Sequence, residues 1–362
     1  MKPTQKLRQT VALSLMKGMG AISFKNGLLA FGSVEGILGA SAAEWRTVQG
    51  LARLDRREME AKKLLEKADQ EIEKAFRQET DILTFFDERY PAFLKEIHDP
   101  PILLFVKGKL PSSQKLNIAI VGSRLASSYG LKMAESIAHD LAAAGLVVVS
   151  GLAQGIDTAA HRGALKAKGL TLAVLGGGIS RLYPAENKKM AAEIVQAGAL
   201  ISEYPMDMEP KPGYFPMRNR IISGLSRAVL VAEAREKSGA LITVDQALEQ
   251  GREVYALPGP ADSAKSEGSN RLLKQGAHFV TGAEDILQDF HVTSAGNKRN
   301  KRIPVTEEES QLLDFLEGEA PMHMDDIVAK SKMAAVKTMV LLSGLALKGA
   351  VRELPGKYFT GK

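Results

Sequence analysis

Between Ile118 and Gly259 the chain alternates short apolar runs with amphipathic stretches. Ile118–Val121 is wholly apolar, Gly122-Ser123 breaks it, and helical spacing follows from about Tyr129 to Ala144. The same unit recurs. Leu146–Ser150 leads into a helix holding Thr158 to Lys168, and Leu170–Leu175 leads into one that begins in YPAENKKM. Ala199–Ser202 is a fourth strand, followed by a long loop and a helix beginning in MRNRIISGLS. Ala228–Val231 precedes the helical SGALITVDQALEQG, Val254–Leu257 ends at Pro258-Gly259, and SNRLLKQGAHFV adds a helix and a strand. Strands without alternation are buried on both faces. Their repetition with helices predicts an α/β fold built on an extended, Rossmann-like, doubly wound parallel sheet with right-handed crossovers.

The flanks read differently. Before residue 80 the apolar positions fall into short helical pieces separated by Gly18-Met19-Gly20 and Phe31-Gly32-Ser33, and Asp55–Gln78 is a charge-rich helical run. Residues 1–80 are therefore expected to form a small helical N-terminal domain, of helix-hairpin-helix or sterile-alpha-motif-like style, ending in a connecting helix. Turns in such units can hold a DNA backbone, but these turns carry no basic residue, which favours a packing module. Pro100 and Pro101 stop any helix ahead of ILLFVKG, which reads as a strand covering an edge of the main sheet. The core then spans residues 81–290. Residues 291–304, including SAGNKRNKR, form a polar, basic linker. From 305 to 362 three helices precede VRELPGKYF, a hairpin, the order of a winged-helix-like domain. Its third helix runs from Met333 to Leu347, with Lys332, Lys337 and Lys348 in or beside it. Such a domain serves either DNA reading or protein interaction.

Composition narrows this little. A chain of 362 residues exceeds one ordinary core, and 45% apolar with 25% charged residues is usual for a globular protein. The formal charge of +6 favours an anionic partner only mildly. Without cysteine there are no disulfides and no thiolate chemistry, which fits the cytoplasm. No apolar run approaches the roughly 18 residues that span a bilayer, and Lys17 cuts VALSLM too early for a cleaved signal.

The strand-end loops carry the chemistry. Gly122, Ser123 and Arg124 follow the first parallel strand, and Gly151 to Asp157, including Gly155, follow the second. Gly176–Gly178, Lys188 and Lys189 follow the third; Arg218, Asn219 and Arg220 precede the fifth, and Ser238 and Gly239 follow it. A doubly wound sheet gathers such loops at one edge, with the RNR run reaching it from a helix start, where amide groups and arginine forks favour phosphate. Tyr183 and Phe215 are candidate platforms for stacked bases, or core packing. The pattern fits no cofactor: GSRLASSYG is not GxGxxG, and GGGISRLYP lacks the Lys-Ser/Thr of a P-loop. No histidine spacing suggests a metal. Asp157 and His161 read as helix-start capping and loop anchoring. Glu203 and Glu233 end strands without a nucleophile to pair with, so no catalytic residue is assigned.

In order, AIVGSR, SGLAQGIDTAAHRGAL, LGGGISRLYPAEN, ISEYP, FPMRNRIISGLS, EAREKSGALIT and ALPG resemble the DNA-processing protein A (DprA/Smf) family from about Phe85 to Leu287. The resemblance implies a non-enzymatic, cytoplasmic protein that binds single-stranded DNA and loads a RecA-type recombinase on it in natural transformation. It implies a homodimer through the later part of the α/β domain, and no cofactor. It places Arg124 in the DNA pocket and maps the family's RNR run to Arg218, Asn219 and Arg220. Relatives carry a DNA-contacting lysine directly after the tyrosine-proline pair; Ala185 stands there, leaving Lys188 and Lys189 as candidate replacements. The competing expectation is a nucleotide-processing enzyme of the phosphoribohydrolase type, whose PGGxGT motif is replaced here by EAREKSGALIT.

Overall fold

A computed structural model describes residues 3–55, 62–292, 306–316, 321–348 and 350–361. The chain divides into two compact units, Met1–Ser294 and Ala295–Lys362. The polar linker SAGNKRNKR lies outside the described residues.

The first unit opens with α1 (Gln5–Leu15), α2 (Ala21–Phe31), α3 (Val34–Gly39), α4 (Ala42–Arg46) and α5 (Lys62–Arg77). Serine side chains cap α3 and α4, Ser41 within a capping box. These helices do not bury their apolar faces among themselves alone. Val11, Phe24, Trp45 and Leu51 belong to one apolar cluster with Leu103, Phe105, Ile194 and Leu200 of the α/β region. The first 80 residues, expected as a module of their own, thus share a core with the sheet.

That sheet contains β1 (Thr80–Thr84), β2 (Leu103–Gly108), β3 (Asn117–Gly122), β4 (Val147–Ser150), β5 (Thr171–Val174), β6 (Gly198–Ser202), β7 (Ala228–Glu233), β8 (Glu253–Ala256) and β9 (His278–Phe279). The helices between them are α6 (Ala92–Lys95), α7 (Ser128–Ala143), α8 (Ile156–Lys166), α9 (Lys188–Ala197), α10 (Tyr214–Gly224), α11 (Gly239–Glu249) and α12 (Glu267–Lys274), with α13 (Ala283–Asp289) after β9. Strand order is β1-β2-β6-β5-β4-β3-β7-β8-β9. From β6 to β9 every pairing is parallel, as the apolar strands imply.

The sheet is mixed, which the sequence pattern did not reveal. β2 joins β6 antiparallel and brings in β1, also antiparallel. ILLFVKG is therefore a member of the sheet as well as its cover. Thr80–Thr84 is too short to read as a strand alone; its ladder with β2 defines it.

The second unit contains α14 (Glu307–Leu316), β10 (Met322–His323), α15 (Met324–Ser331), α16 (Ala335–Leu347), β11 (Val351–Leu354) and β12 (Tyr358–Gly361). Its three strands are ordered β10-β12-β11, around a core that includes Leu312, Ile327, Leu342, Leu345 and Phe359. Three helices and a β-wing make this a winged helix.

Candidate nucleic-acid interface

β3 and β7 are neighbours, with β4, β5 and β6 on one side and β8 and β9 on the other. At such a reversal the loops leaving adjacent strands diverge and open a crevice. The register of β3 against β7 shifts between Val121 and Gly122, which turns the chain outward. Ser123 is buried: its N–H donates to the Glu233 carbonyl at 2.7 Å and its carbonyl accepts from the Ile156 N–H at 3.2 Å. The Glu233 carboxylate accepts from the Ser127 N–H at 2.8 Å and from the Ser127 hydroxyl, while that hydroxyl caps α7. Gly155, with φ of 79°, lies against this turn so closely that a Cβ would stand 2.3 Å from the Ser123 carbonyl oxygen. The two turns are thereby locked together, and Arg124 stands exposed at the tip.

The Arg124 guanidinium lies 5.1 Å from the centre of the Phe215 ring, with Tyr183 5.7 Å from that ring on another side. Both distances suit attraction to the ring. Tyr183 is 52% exposed, so its face is open to a further aromatic group. Around this cluster is a cleft of about 510 Å³, whose lining includes Arg124, Phe215, Asn219, Arg235, Lys237 and Gly239.

Arg218 lines the cleft from beneath. It is 3% exposed and donates to the Gly151 carbonyl at 2.7 Å and to the Val174 carbonyl, tying the ends of β4 and β5 together. Burial pushes its pKa down to about 10, with Asp157 opposing, so it stays charged at neutral pH. Gly151 makes room for it: a Cβ there would lie 2.4 Å from the guanidinium. Asp157 is buried and accepts from the Gly151 and Ala153 N–H groups at 3.1 and 3.3 Å, anchoring the loop as expected. His161 does something else. It meets Thr171 at 2.7 Å, and burial drives its pKa down to about 3, leaving it neutral.

Several expectations need correction. Arg220 does not reach the rim. Its guanidinium binds Glu203 at 3.0 and 2.7 Å and Asp99 at 2.8 Å, and the residue is 7% exposed. The physical reason is periodicity: consecutive helix positions point about 100° apart. The helix starts at Tyr214, so the RNR run sits in its second turn and presents only Arg218 and Asn219 to the cleft. Asn219 donates to the Gly239 carbonyl at 3.4 Å. Gly176–Gly178 are buried, Gly176 against the Phe215 ring and Gly177 and Gly178 under the chain at Pro205–Pro210, so no phosphate reaches them. Lys188 and Lys189 are exposed at the start of α9 and neither lines this cleft. Glu203 and Glu233, the two strand-end carboxylates, are engaged by Arg220 and by Ser127. Ser238 caps α11 and, with Gly239, forms part of the cleft wall.

Reading the sequence for site residues missed Arg235 and Lys237. They follow β7 and become wall residues because β7 lies beside β3, a neighbour relation that spacing does not encode. Glu236 between them turns to Arg271 at 3.4 Å, so it neutralises neither. Lys211, adjoining the cleft residue Pro212, was missed as well; its ammonium is 5.9 Å from the Tyr214 ring. Among the described residues Arg124, Arg235, Lys237 and Lys211 have no carboxylate within ion-pairing distance. The local signal was available: cations in a strand-end loop beside a Ser-Gly helix start.

Residues 81–291 match the family model for DNA recombination-mediator protein A. The chain belongs to that family. Residues 298–357 match the DprA winged helix domain. Protein Smf of Escherichia coli is 39% identical over 279 residues, which is 75% of each chain. The X-ray structure of DNA processing protein A from Streptococcus pneumoniae superposes with a TM-score of 0.67 at 34% identity, covering 80% of this chain and 99% of that one. DNA processing protein A from Helicobacter pylori, solved to explain its single-stranded DNA binding mode, gives a TM-score of 0.52 at 29% identity over 59% of this chain and 95% of the other.

Proposed function

We propose that the cleft at the β3–β7 junction grips single-stranded DNA and that the chain acts as a DNA-processing mediator in transformation and recombination. One observation carries this reading. The cleft lining sets the cations Arg124, Arg218, Arg235 and Lys237 against a single carboxylate, buried Asp157, around the ring of Phe215. Cations without partner acids attract a polyanion, and exposed ring faces reward unpaired bases, each stacked base being worth about 1–3 kcal/mol. A duplex hides its bases from Phe215 and Tyr183. Names and descriptions of the relatives, which include a single-stranded DNA binder, point the same way.

The protein binds the strand without cutting it. That Glu203, Glu233 and Asp157 are all held by protein groups supports this part of the reading. Gly122, Ser123, Gly151 and Gly155 serve by shaping the turns, while Arg124, Phe215, Asn219, Ser238 and Gly239 meet the strand. A second copy docks through the later part of the α/β region, where β9 pairs only with β8 among the described residues and Phe279 is 60% exposed. On the bound strand the dimer loads a RecA-type recombinase, in the cytoplasm; among the described residues no helix is long and apolar enough to cross a membrane.

The test is fluorescence anisotropy with a labelled oligo-dT and a duplex of equal length across a salt series. Preference for the single strand, weakened by salt and by Arg124→Ala, is the expected result. Equal affinity of Arg124→Ala and the parent chain would remove the cleft from the account.

A further inference from the structure

A second cleft, of about 670 Å³, opens at the amino ends of the parallel strands, on the sheet edge opposite the first. Its floor is aliphatic, with Leu83, Val106, Leu172 and Leu225 at the bottom. Each is 3% exposed or less, so the surface they offer is recessed and suited to one bulky apolar side chain. In the wall Asn117 is held by its amide, which donates to the Leu225 carbonyl at 2.8 Å.

The lip carries Lys109 and Lys115, both exposed. Neither meets a carboxylate among the described residues, and Lys115 only reaches the Gly145 carbonyl, at 3.2 Å. Arg89 is already bound to Asp81 at 2.7 Å and to Asp87 at 3.1 Å. The residues lining the cleft set Arg89, Lys109 and Lys115 against Asp81 and Glu88, one cation in excess, and Glu88 has no ion partner among the described residues.

From this floor and the charged lip, we infer that the second cleft docks an acidic peptide segment of a partner protein, anchored by one aromatic or large aliphatic residue. The apolar residue fills the floor, and the acidic flank meets Lys109 and Lys115. Nucleic acid fits less well, because its phosphates have no use for an aliphatic floor.

The probe is a fluorescein-labelled peptide, Asp-Asp-Glu-Phe-Gly-Leu, titrated with the full chain beside a control with lysines in place of its acids. The acidic peptide should bind, the control should not, and Lys109→Glu with Lys115→Glu should weaken binding about tenfold. Glu88→Lys should tighten it severalfold, a gain that structural damage cannot mimic. All three substitutions lie on the surface and should leave oligo-dT binding unchanged. Equal binding of both peptides, or indifference to Lys109, Lys115 and Glu88, would overturn the assignment. Displacement of the peptide by oligo-dT from the Arg124→Ala chain would overturn it too, handing the cleft to nucleic acid.

Discussion

Arg124, Arg235 and Lys237 stand at the carboxyl edge of the sheet with no carboxylate in ion-pairing range among the described residues, whereas Lys337 and Lys348, in and just after α16 of the second unit, meet Glu308 and Glu309. Lys348 lies 2.7 Å from both oxygens of Glu309, which is 5% exposed. The acids come from the first turn of α14, Glu307-Glu308-Glu309, where the helix N-terminus favours them. Beside Lys337, α16 shows apolar side chains to solvent: Val336, Met339 and Val340 are 77%, 46% and 65% exposed. Spacing of i, i+3 and i+4 puts these three on one face. Cation number alone would have rated the two regions alike. The acids within reach separate Lys337 and Lys348 from Arg124, Arg235 and Lys237.

The largest effect that could break this contrast is at Arg124. Replacing it with Ala should weaken oligo-dT binding ten- to hundredfold, about 1.5–3 kcal/mol for a charge-assisted contact. Phe215→Ala should follow closely, losing a stacked base worth about 1–3 kcal/mol, with Phe215→Tyr retaining most of the affinity. Anisotropy titrations at one salt concentration rank both.

Arg235→Ala and Lys237→Ala should each cost less, a few-fold, and each should flatten the plot of log affinity against log salt by roughly 0.7, the share of one phosphate contact on a single strand. A loss of affinity with an unchanged slope would mean that these residues act by holding the loop. At the far end of the scale, deleting residues 295–362 or making Lys337→Glu should change oligo-dT affinity less than twofold. A tenfold fall there would dissolve the distinction between the two regions.

Acid sharpens the comparison in another way. No histidine is among the residues lining the cleft, so binding should be flat between pH 5.5 and 8. Stability should not be. His161 is held neutral by burial, with a folded pKa of about 3 against 6.5 for an imidazole in water. The unfolded chain therefore takes up a proton that the folded one refuses, and stability falls as pH drops below about 6.5 toward 3. Denaturant midpoints at pH 7 and 5 should differ in the parent chain and differ less in His161→Gln.

Much of the fold was written in the pattern. Ile118–Val121, Val147–Val149 and Ala228–Val231 are apolar on both faces, and only a sheet covered on both sides accommodates that. The turn of Gly122, Ser123 and Arg124 was legible for the same reason, since a strand of that kind must end in a loop at the ligand edge. Thr80–Thr84 was not legible, because an edge strand is defined by its partner.

The sequence by itself determined the parallel core, the winged-helix order and the exposure of Arg124 at a strand end, because burial periodicity and glycine turns are local properties. Tertiary structure alone decided which cations remain free. Arg218 is drawn under the cleft by two carbonyls, Arg220 is taken by Glu203 and Asp99, and Arg235 and Lys237 are delivered to the rim by the pairing of β7 with β3. A charge acts through whatever lies within a few ångströms of it, and those neighbours come from distant parts of the chain.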